Sequence, residues 1–509
     1  MKITNLLMCL TISLLKPYHA LLTSNDCSEL RGDKNKLFSL AEETLTRVDE
    51  YFVNSKEVAS HLGGYVVTVV DEDDGVDAGG GTNTMGSYNS VLFNGTSLFP
   101  GDMCEAVPAL SGDTRCGYTD SFLIGASDAM VIYMCTPPPT RYFSHDVLIS
   151  ARLTEEYPFY PGQPFGNAIS HMTIHVDNNE SIYDEPFVLI HAADEDAVKR
   201  TTDAFLFAGV PQSQINVRYI SPSTVRFWDR SNGQSNNWKE TAPDIISHVG
   251  RVSVPIEGYE NEYELYKDIV WPARMYFTND DLIATNLVEP PLPSRYTPNI
   301  VDEVSMLNDT LSLLHDAVVK AWVSFEHVNF LGTQIVNLTA LGYYDDWDTI
   351  LELKNNDSFV AGTRDATYGI PIGYFGHFEK STCGTLIGVN HKFVNNISYN
   401  SVGLDLTSYG KYFETHWFLD EDLYGSAVRY LGDDNMLAPY LYAIDFYPPG
   451  GCDRSSTPKQ WCVEFYPDNY DFKLRKLYPI IGERMYTLQE TALGNPANLT
   501  CPAMWLQFG

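Results

Sequence analysis

Apolar residues recur at two different spacings along this chain, and the helical spacing is clearest in two segments. In SLAEETLTRVDEYF, near Ser39, apolar side chains recur at roughly one-turn intervals and predict an amphipathic helix. A second stripe lies in IVDEVSMLNDTLSLLHDAVVKAWVSF, which begins at Ile300. Its members stand three and four residues apart: Val304, Leu307, Leu311, Leu314, Val318 and Trp322. We therefore predict a helix that buries this stripe.

Short β-branched and aromatic runs predict strands in the first half of the chain. They are YVVTVV at Tyr65, AMVIYM at Ala129 and DVLISARL at Asp146, with Gly or Pro between them. HMTIHV at His171 also favours a strand, and strand-like segments return through Phe359, Leu386 and Val402.

One stretch has the pattern of a parallel crossover unit. PFVLIHAAD predicts a strand, EDAVKRTTDAFLFAG a helix and INVRYIS a second strand, in that order. The phosphate-binding glycine pattern of dinucleotide-binding units is missing from it. This βαβ-like segment is therefore not interpreted as a nucleotide site.

Proline marks the predicted domain boundary. VEPPLPSRYTP, residues 288–298, contains four prolines in eleven residues, which stop both helix and sheet. We predict an N-terminal β-rich domain with the βαβ-like segment over 21–287, a linker over 288–298, and a C-terminal domain of helix plus strands over 299–509. The predicted fold class is α+β, with two β-rich, sandwich-like halves.

The first twenty residues have the features of a cleaved secretory leader. Lys2 gives a positive start, an apolar run extends from Leu6 to Leu15, and Ala20 offers a small residue for cleavage. The apolar run is too short to span a bilayer. The alternatives are an N-terminal core helix and a plastid-type leader. We expect a secreted, extracellular protein, with no membrane span.

Cysteines and glycosylation sequons agree with secretion. Eight cysteines remain after the leader, an even number that predicts disulfides in an exported chain. Cys452 and Cys462, which flank a polar loop, are the best local pair. N-x-S/T sequons predict a glycoprotein and begin at Asn94, Asn179, Asn308, Asn337, Asn356, Asn396 and Asn498.

Charge restricts the partners. Lys and Arg total 33 against 66 Asp and Glu, so the formal net charge is −33. Such a surface repels phosphate backbones, which argues against nucleic acid and anionic membranes and favours attraction of cations. The oligomeric state is left open by the sequence.

One phrase occurs twice. DSFLIGASDA at Asp120 and DSFVAGTRDA at Asp357 share six of ten positions, and YFSH and YFGH follow them in turn. Two matches in the same order predict the same corner of two related β-rich halves, a divergent duplication. Glycine followed by Asp is typical of a turn whose amides the carboxylate binds, which explains the residue types by itself.

The functional alternative for the repeated phrase is an acid/base site. In that hypothesis Arg364, Asp365 and His377 form one catalytic group, and Asp128, Arg141 and His145 are its counterpart.

Segments around these phrases resemble a group of secreted proteins. CTPPPTRYFSHDVLISARL and NNDSFVAGTRDATYG are similar to stretches in secreted proteins of unknown function from marine microalgae, diatoms especially. The resemblance implies a secreted, aquatic setting and carries no activity.

Two segments contain possible metal ligands. The run DEDDGVDAGGGTN offers Asp71, Asp73, Asp74 and Asp77 as calcium ligands, although it departs from the EF-hand spacing, and a solvated acidic loop is the simpler interpretation. His171 and His175, if on a strand, lie about 13 Å apart and would not share one metal.

Aromatic residues mixed with acids suggest carbohydrate as the ligand. YYDDWD at Tyr343, ETHWFLDEDLYG at Glu414 and RFWDRS at Arg226 place rings beside carboxylates, which suit the apolar face and the hydroxyls of a sugar. Aromatics also fill β-rich cores. Familiar catalytic strings such as GxSxG, HExxH and Walker loops are absent. Two hypotheses follow: an extracellular enzyme acting on a small polar or carbohydrate substrate, or a non-catalytic surface protein that binds glycan, mineral or calcium.

Overall fold

The structure is a computed structural model, and it describes most of the chain. The described residues are 21–56, 58–69, 86–94, 118–119, 121–153, 158–159, 163–164, 168–177, 181–229, 243–278, 284–290, 303–326, 328–336, 338–339, 366–369, 382–394, 397–408, 411–448, 450–453, 455, 457–464, 478–487, 501 and 503–509.

Helices and strands are mixed, which confirms the predicted α+β class. The α-helices of the described residues are α1 (Ser24–Glu29), α2 (Lys34–Ser55), α3 (Glu195–Ala208), α4 (Glu260–Lys267), α5 (Glu303–Ala321), α6 (His391–Val394), α7 (Asp420–Leu423) and α8 (Val428–Leu431). The predicted helix near Ser39 is α2. It begins after Asp33, whose side chain accepts a hydrogen bond from the Lys36 amide, and ends at Lys56 in the left-handed conformation.

The first half of the chain builds one large sheet. Its strands are β1 (Val58–Val69), β2 (Gly86–Asn94), β3 (Tyr118–Thr119), β4 (Ser121–Phe122), β5 (Ala129–Cys135), β6 (Thr140–Leu153), β7 (Pro158–Phe159), β8 (Gln163–Pro164), β9 (Ile169–Ser170), β10 (Pro186–Ala192), β11 (Ile215–Tyr219), β12 (Ile245–Pro255) and β13 (Trp271–Thr278). The main strand order is β11-β10-β5-β13-β1-β2-β12-β6-β7.

The predicted βαβ unit is present. β10 and β11 pair in parallel, with Val188 opposite Ile215, and α3 connects them. Gly209 ends α3 with a φ of 98°, a conformation that suits glycine. Every residue of β10 is buried, as expected for a strand covered on both faces.

This sheet curls until its two ends meet. Although β6 and β11 lie far apart in the strand order, Arg218 of β11 reaches Asp146 of β6 with an Nη2–Oδ1 distance of 3.4 Å. The rings of His145 on β6 and Phe187 on β10 lie 5.4 Å apart. The sheet therefore encloses a barrel-like interior.

A short turn segment covers the place where the ends meet. His171 donates its amide to the Phe143 carbonyl of β6 at 2.9 Å, and the His175 amide donates to Asn216 Oδ1 of β11 at 2.7 Å. The predicted strand over HMTIHV is wrong, because only Ile169 and Ser170 are paired. The hydroxyls of Ser170 and Thr173 accept backbone amides locally and form a turn instead.

The second half of the chain builds two smaller sheets. The first has the order β14-β23-β17-β20-β21, and the second β15-β16-β22-β18-β19. Their strands are β14 (Phe330–Val336), β15 (Leu338–Thr339), β16 (Ala366–Gly369), β17 (Cys383–Val389), β18 (Ile397–Ser408), β19 (Lys411–Leu419), β20 (Leu441–Tyr447), β21 (Cys462–Glu464), β22 (Tyr478–Thr487) and β23 (Ala503–Phe508).

The predicted stripe of α5 packs on the first of these sheets. Five of its six members are fully buried: Leu307, Leu311, Leu314, Val318 and Trp322. Val304, in the first turn, is exposed. After Ala321 the helix widens into a π-helical turn over Trp322–Glu326, and the Trp322 ring stacks on Phe508.

Two disulfides lie in the described part of the chain. Cys452 pairs with Cys462, as predicted, and Cys27 of α1 pairs with Cys135 at the end of β5. Within the same residues, no helix is both long and apolar enough to cross a bilayer.

The predicted domain boundary stays a prediction, because residues 291–302 lie outside the described residues. Before that gap the chain still follows the N-terminal sheet. The Val288 amide donates to the Ala193 carbonyl at 2.9 Å, and Glu289 accepts the Ser221 hydroxyl.

Candidate functional site

Seven of the ten predicted site residues fall outside the described residues. They are Arg364, Asp365, His377, Asp71, Asp73, Asp74 and Asp77. The catalytic group of the second repeated phrase and the calcium loop therefore stay predictions. Asp128, Arg141 and His145 are described, and each occupies a different place.

Asp128 holds the turn of the first repeated phrase. Its Oδ2 accepts the Gly125 amide at 2.7 Å, and its Oδ1 accepts the Thr278 amide of β13 at 3.0 Å. A Cβ at Gly125 would stand 2.6 Å from that Oδ2, so the turn needs glycine there. In this copy of the phrase, the Gly and the Asp therefore have a structural role: they form and stabilise a turn.

Arg141 joins the two halves of the chain. Its Nη1 lies 3.0 Å from Oδ1 of the fully buried Asp420, at the start of α7, and its Nη2 pairs with Glu421. Lys392 of α6 approaches the other oxygen of Asp420 at 2.6 Å. Asp420 therefore receives one cation from the N-terminal sheet and one from the C-terminal region.

Two exposed aromatic rings lie near Asp420, one on α6 and one just after α7. Phe393 belongs to α6, and Tyr424 directly follows α7. Their ring centroids are 4.8 Å apart with the planes at 45°, and the residues are 42% and 49% exposed. We name Phe393 and Tyr424 the aromatic platform. The two rings form an open V rather than a flat surface.

Two hydrogen bonds hold α7, the helix that precedes Tyr424, against neighbouring segments. Asn390 Nδ2 donates to the Asp420 carbonyl at 2.5 Å and so ties the residue before α6 to α7. Trp461 Nε1 donates to the Asp422 carbonyl at 2.9 Å. The platform and its acidic border, Glu421 and Asp422, are therefore presented by short helices whose ends are fixed.

His145 belongs to a buried group of imidazoles, which we name the histidine cluster: His145 of β6, His191 of β10 and His248 of β12. His145 Nδ1 lies 3.3 Å from His248 Nε2, and these two rings stack at a centroid distance of 5.4 Å. The His191 and His248 centroids are 5.6 Å apart. None of the three is more than 1% exposed.

Strand register and one glycine make room for the histidine cluster. His145 is opposite Gly250, and His248 is opposite Val147, so both imidazoles leave the same face of the β6–β12 pair. A Cβ on Gly250 would stand 3.2 Å from His145 Nδ1 and 3.0 Å from the Asn89 Cβ. Because Gly250 has no side chain, the His145 ring has room beside it.

Burial keeps these imidazoles neutral. Desolvation lowers the pKa of His145 to about 4. Desolvation lowers the pKa of His191 well below its usual value, and Arg218 and His145 add to the shift. The pKa of His248 is likewise well below its usual value, through desolvation first and then His145, His191 and Arg251.

The histidine cluster is poorly satisfied by hydrogen bonds. Among the described residues, no partner meets His145 Nε2, His248 Nδ1 or either ring nitrogen of His191. Each buried polar atom without a partner costs about 1–3 kcal/mol. The group therefore calls for an explanation beyond packing.

The histidine cluster does not have the arrangement of a metal centre. Within the described residues, no group of three or more His, Cys, Asp or Glu side chains has an arrangement that could hold a metal ion. Arg218 and Arg251 add positive charge beside it, which disfavours a divalent cation.

Sequence reasoning found His145 and missed its partners. His191 and His248 stand alone in strand segments, and their residue types are ordinary there. Burial of histidine in continuous apolar runs, as in PFVLIHAA, was the available signal. The aromatic platform had a better signal in ETHWFLDEDLYG, which contains Tyr424 and its acidic border.

Comparisons with known proteins give distant likenesses in shape. No model of a known protein family matches the chain, and no curated protein matches it. Among solved structures, the VPA0106 protein from Vibrio parahaemolyticus is similar at a TM-score of 0.35 and 11% identity, covering 76% of this chain and 87% of that one. A putative uncharacterized protein from Burkholderia cenocepacia is similar at a TM-score of 0.36 and 8% identity, covering 99% of this chain and 98% of that one. At these values neither likeness assigns a family or an activity to the chain.

Proposed function

We propose that this chain is a secreted, non-catalytic protein that binds carbohydrate at the aromatic platform. The observation that carries the proposal is the exposed pair Phe393 and Tyr424. The acidic residues Glu421 and Asp422 come three and two positions before Tyr424 in the chain. Aromatic rings bury the apolar face of a sugar, and carboxylates accept hydrogen bonds from its hydroxyls. Two disulfides support the extracellular setting, and the sequons fit it.

Charge narrows the class of carbohydrate. Arg141 and Lys392, the two cations that contact Asp420 of α7, are already paired with acids, and the chain as a whole carries −33. Uronic or sulfated polysaccharides would meet repulsion at such a surface. The proposed ligand is therefore a neutral glycan.

The enzyme hypothesis stays a prediction. Its central group, Arg364, Asp365 and His377, lies outside the described residues, and Asp128 and Arg141 serve structural contacts. No described contact favours catalysis over binding at the platform.

Titration calorimetry with neutral oligosaccharides tests the proposal. We expect millimolar to micromolar dissociation constants for the unchanged protein, and about a tenfold weakening in Tyr424→Ala, since about 1.4 kcal/mol corresponds to a factor of ten. The double variant with Phe393→Ala should abolish measurable binding.

Phe207→Ala is the matched control, because Phe207 is also an exposed ring but lies on α3 of the N-terminal region. Equal binding by the Tyr424→Ala variant and the unchanged protein would overturn the proposal, as would an equal loss in the Phe207→Ala control. Binding of acidic but not neutral glycans would contradict the assigned ligand class.

A further inference from the structure

The curled N-terminal sheet closes along a line that carries no strand pairing in the described residues. We name this line the β6/β11 seam. It is held by the Arg218–Asp146 contact at 3.4 Å and by the turn segment 168–177. That segment binds β6 through its pairing of Ile169 with His145, and it binds β11 through His175 and Asn216.

The histidine cluster spans this seam. His145 and His248 stand on the adjacent strands β6 and β12, whereas His191 stands on β10, across the seam. Stacking and edge contacts hold the three rings together, with His145 also against Phe187 of β10. The packing of neutral rings is thus part of what closes the sheet.

We propose that the histidine cluster is an acid-sensitive latch whose protonation opens the β6/β11 seam while the C-terminal region stays folded. The proposal rests on the burial of three imidazoles on both sides of an unpaired seam, with four of their ring nitrogens lacking a hydrogen-bond partner among the described residues.

The charges facing the cluster favour opening once a proton is bound. Arg218 approaches from β11 and Arg251 from β12, and both are cations. Asp146 of β6 contributes a carboxylate, and it is engaged by Arg218. From the turn segment, His171 packs on Phe143. Each added imidazolium would therefore meet like charge inside a low-dielectric interior, and repulsion across the seam is relieved by separation.

The size of the effect follows from the proton balance. An imidazole with a usual pKa of 6.5 and a folded pKa of about 4 binds its proton mainly in the open state between these values. Lowering the pH from 7 to 5 should raise the opening equilibrium constant by about 20-fold for one such imidazole.

Hydrogen–deuterium exchange of the intact protein tests the latch. Labelling at pH 7 and pH 5, with labelling times scaled for the intrinsic exchange rate, is read by mass spectrometry on peptides from β6, β10 and β11. Peptides from β17 and β20 report on the C-terminal region. We expect acid to remove protection from the first set by at least about 20-fold and to leave the second set unchanged.

Variants of the cluster test its role in the acid response. His191→Leu and His248→Gln each remove a titrating group, and each should reduce the acid effect on the β6, β10 and β11 peptides by about tenfold or more. His315→Gln is the matched control, because His315 lies on α5 in the C-terminal region and hydrogen-bonds to Thr333 of β14. Its exchange should match the unchanged protein.

Three outcomes would overturn the latch. The first is an unchanged protection of the seam peptides at pH 5 in the unmodified protein. The second is a simultaneous loss in both sets of peptides, which would be global acid unfolding. The third is an acid response of unchanged size in both cluster variants. The first two are measured without any substitution, so they do not depend on the variants folding.

Discussion

Two buried polar groups of this protein differ in how many of their polar atoms have hydrogen-bond partners. In the C-terminal region the fully buried Asp445 of β20 accepts hydrogen bonds from Thr385, Tyr430 and Thr457 at 2.7–2.8 Å. Arg429 adds an ion pair at 3.0 Å. In the N-terminal region the histidine cluster is equally buried, yet four of its six ring nitrogens have no hydrogen-bond partner in the described residues.

The difference separates a group that stabilises the fold from one that does not. A buried carboxylate with every oxygen bonded holds its neighbours in one arrangement, and losing it would strand a cation and three hydroxyls. Unsatisfied imidazoles lower the free energy of unfolding and do not order their surroundings in this way. Asp445 therefore reads as structural, whereas the histidine cluster is the better candidate for a conformational role.

Asp445→Ala should give the largest effect, because it leaves Arg429, whose side chain is only 15% exposed, without its counterion. We expect the free energy of unfolding to fall by about 3–5 kcal/mol, measured by denaturant unfolding. Asp433→Ala, at an exposed turn after α8, should change it by less than about 0.5 kcal/mol. If both variants lost a similar free energy of unfolding, Asp445 would not be a group that stabilises the fold, and its contrast with the histidine cluster would fail.

Lowering the pH should give the second-largest effect, a loss of stability in the N-terminal region. The folded pKa of His145 lies below its unfolded value, so the unfolded or open state takes up the proton, and stability is complete above pH 6.5 and lost as the pH falls towards 4. Between pH 7 and pH 5 this imidazole alone should cost about 2 kcal/mol of stability. Thermal unfolding across that range measures it, and a flat profile would contradict the neutral, buried state of the cluster.

Tyr430→Phe tests a single hydrogen bond of the Asp445 network. The Tyr430 hydroxyl lies 2.8 Å from both oxygens of Asp445, and a hydrogen bond to a charged group contributes about 1.5 kcal/mol or more. Since Thr385, Thr457 and Arg429 remain, the free energy of unfolding should fall by about 1.5 kcal/mol. A loss as large as that of Asp445→Ala would show that the network acts as one unit.

His191→Leu at pH 7 should give the smallest effect of the four. It removes two buried nitrogens that have no hydrogen-bond partner in the described residues, and this gain offsets the cost of a changed shape. We expect a change in the free energy of unfolding of less than about 1 kcal/mol in either direction. A loss above about 3 kcal/mol would mean that His191 contributes strongly to the neutral fold.

Local sequence patterns predicted helices and strands better than they predicted the contacts between distant parts of the chain. The helical stripes gave α2 and α5, the crossover pattern gave β10, α3 and β11, and proximity gave the Cys452–Cys462 pair. HMTIHV failed because hydroxyl side chains of Ser170 and Thr173 bind the local backbone, an option that β-propensity does not weigh.

The histidine cluster could not be predicted from the sequence, and the reason is physical. His145, His191 and His248 meet because the sheet curls, and curl depends on the accumulated twist of many strands rather than on any local run. Arg141 shows the same limit. Its partner Asp420 lies 279 residues further along the chain, and no spacing rule connects them.

The position of β13 in the large sheet has a consequence for how the protein is made. In the strand order, β13 alone joins the block β11-β10-β5 to the block β1-β2-β12-β6 among the described strands, and its residues 271–278 come last of all these strands in the chain. A ribosome delivers the N-terminus first, so both blocks emerge with exposed edges before the strand that unites them exists. Any chain stopped short of residue 271 would lack the strand that pairs with both β5 and β1, and the facing edges of those two strands would stay unpaired.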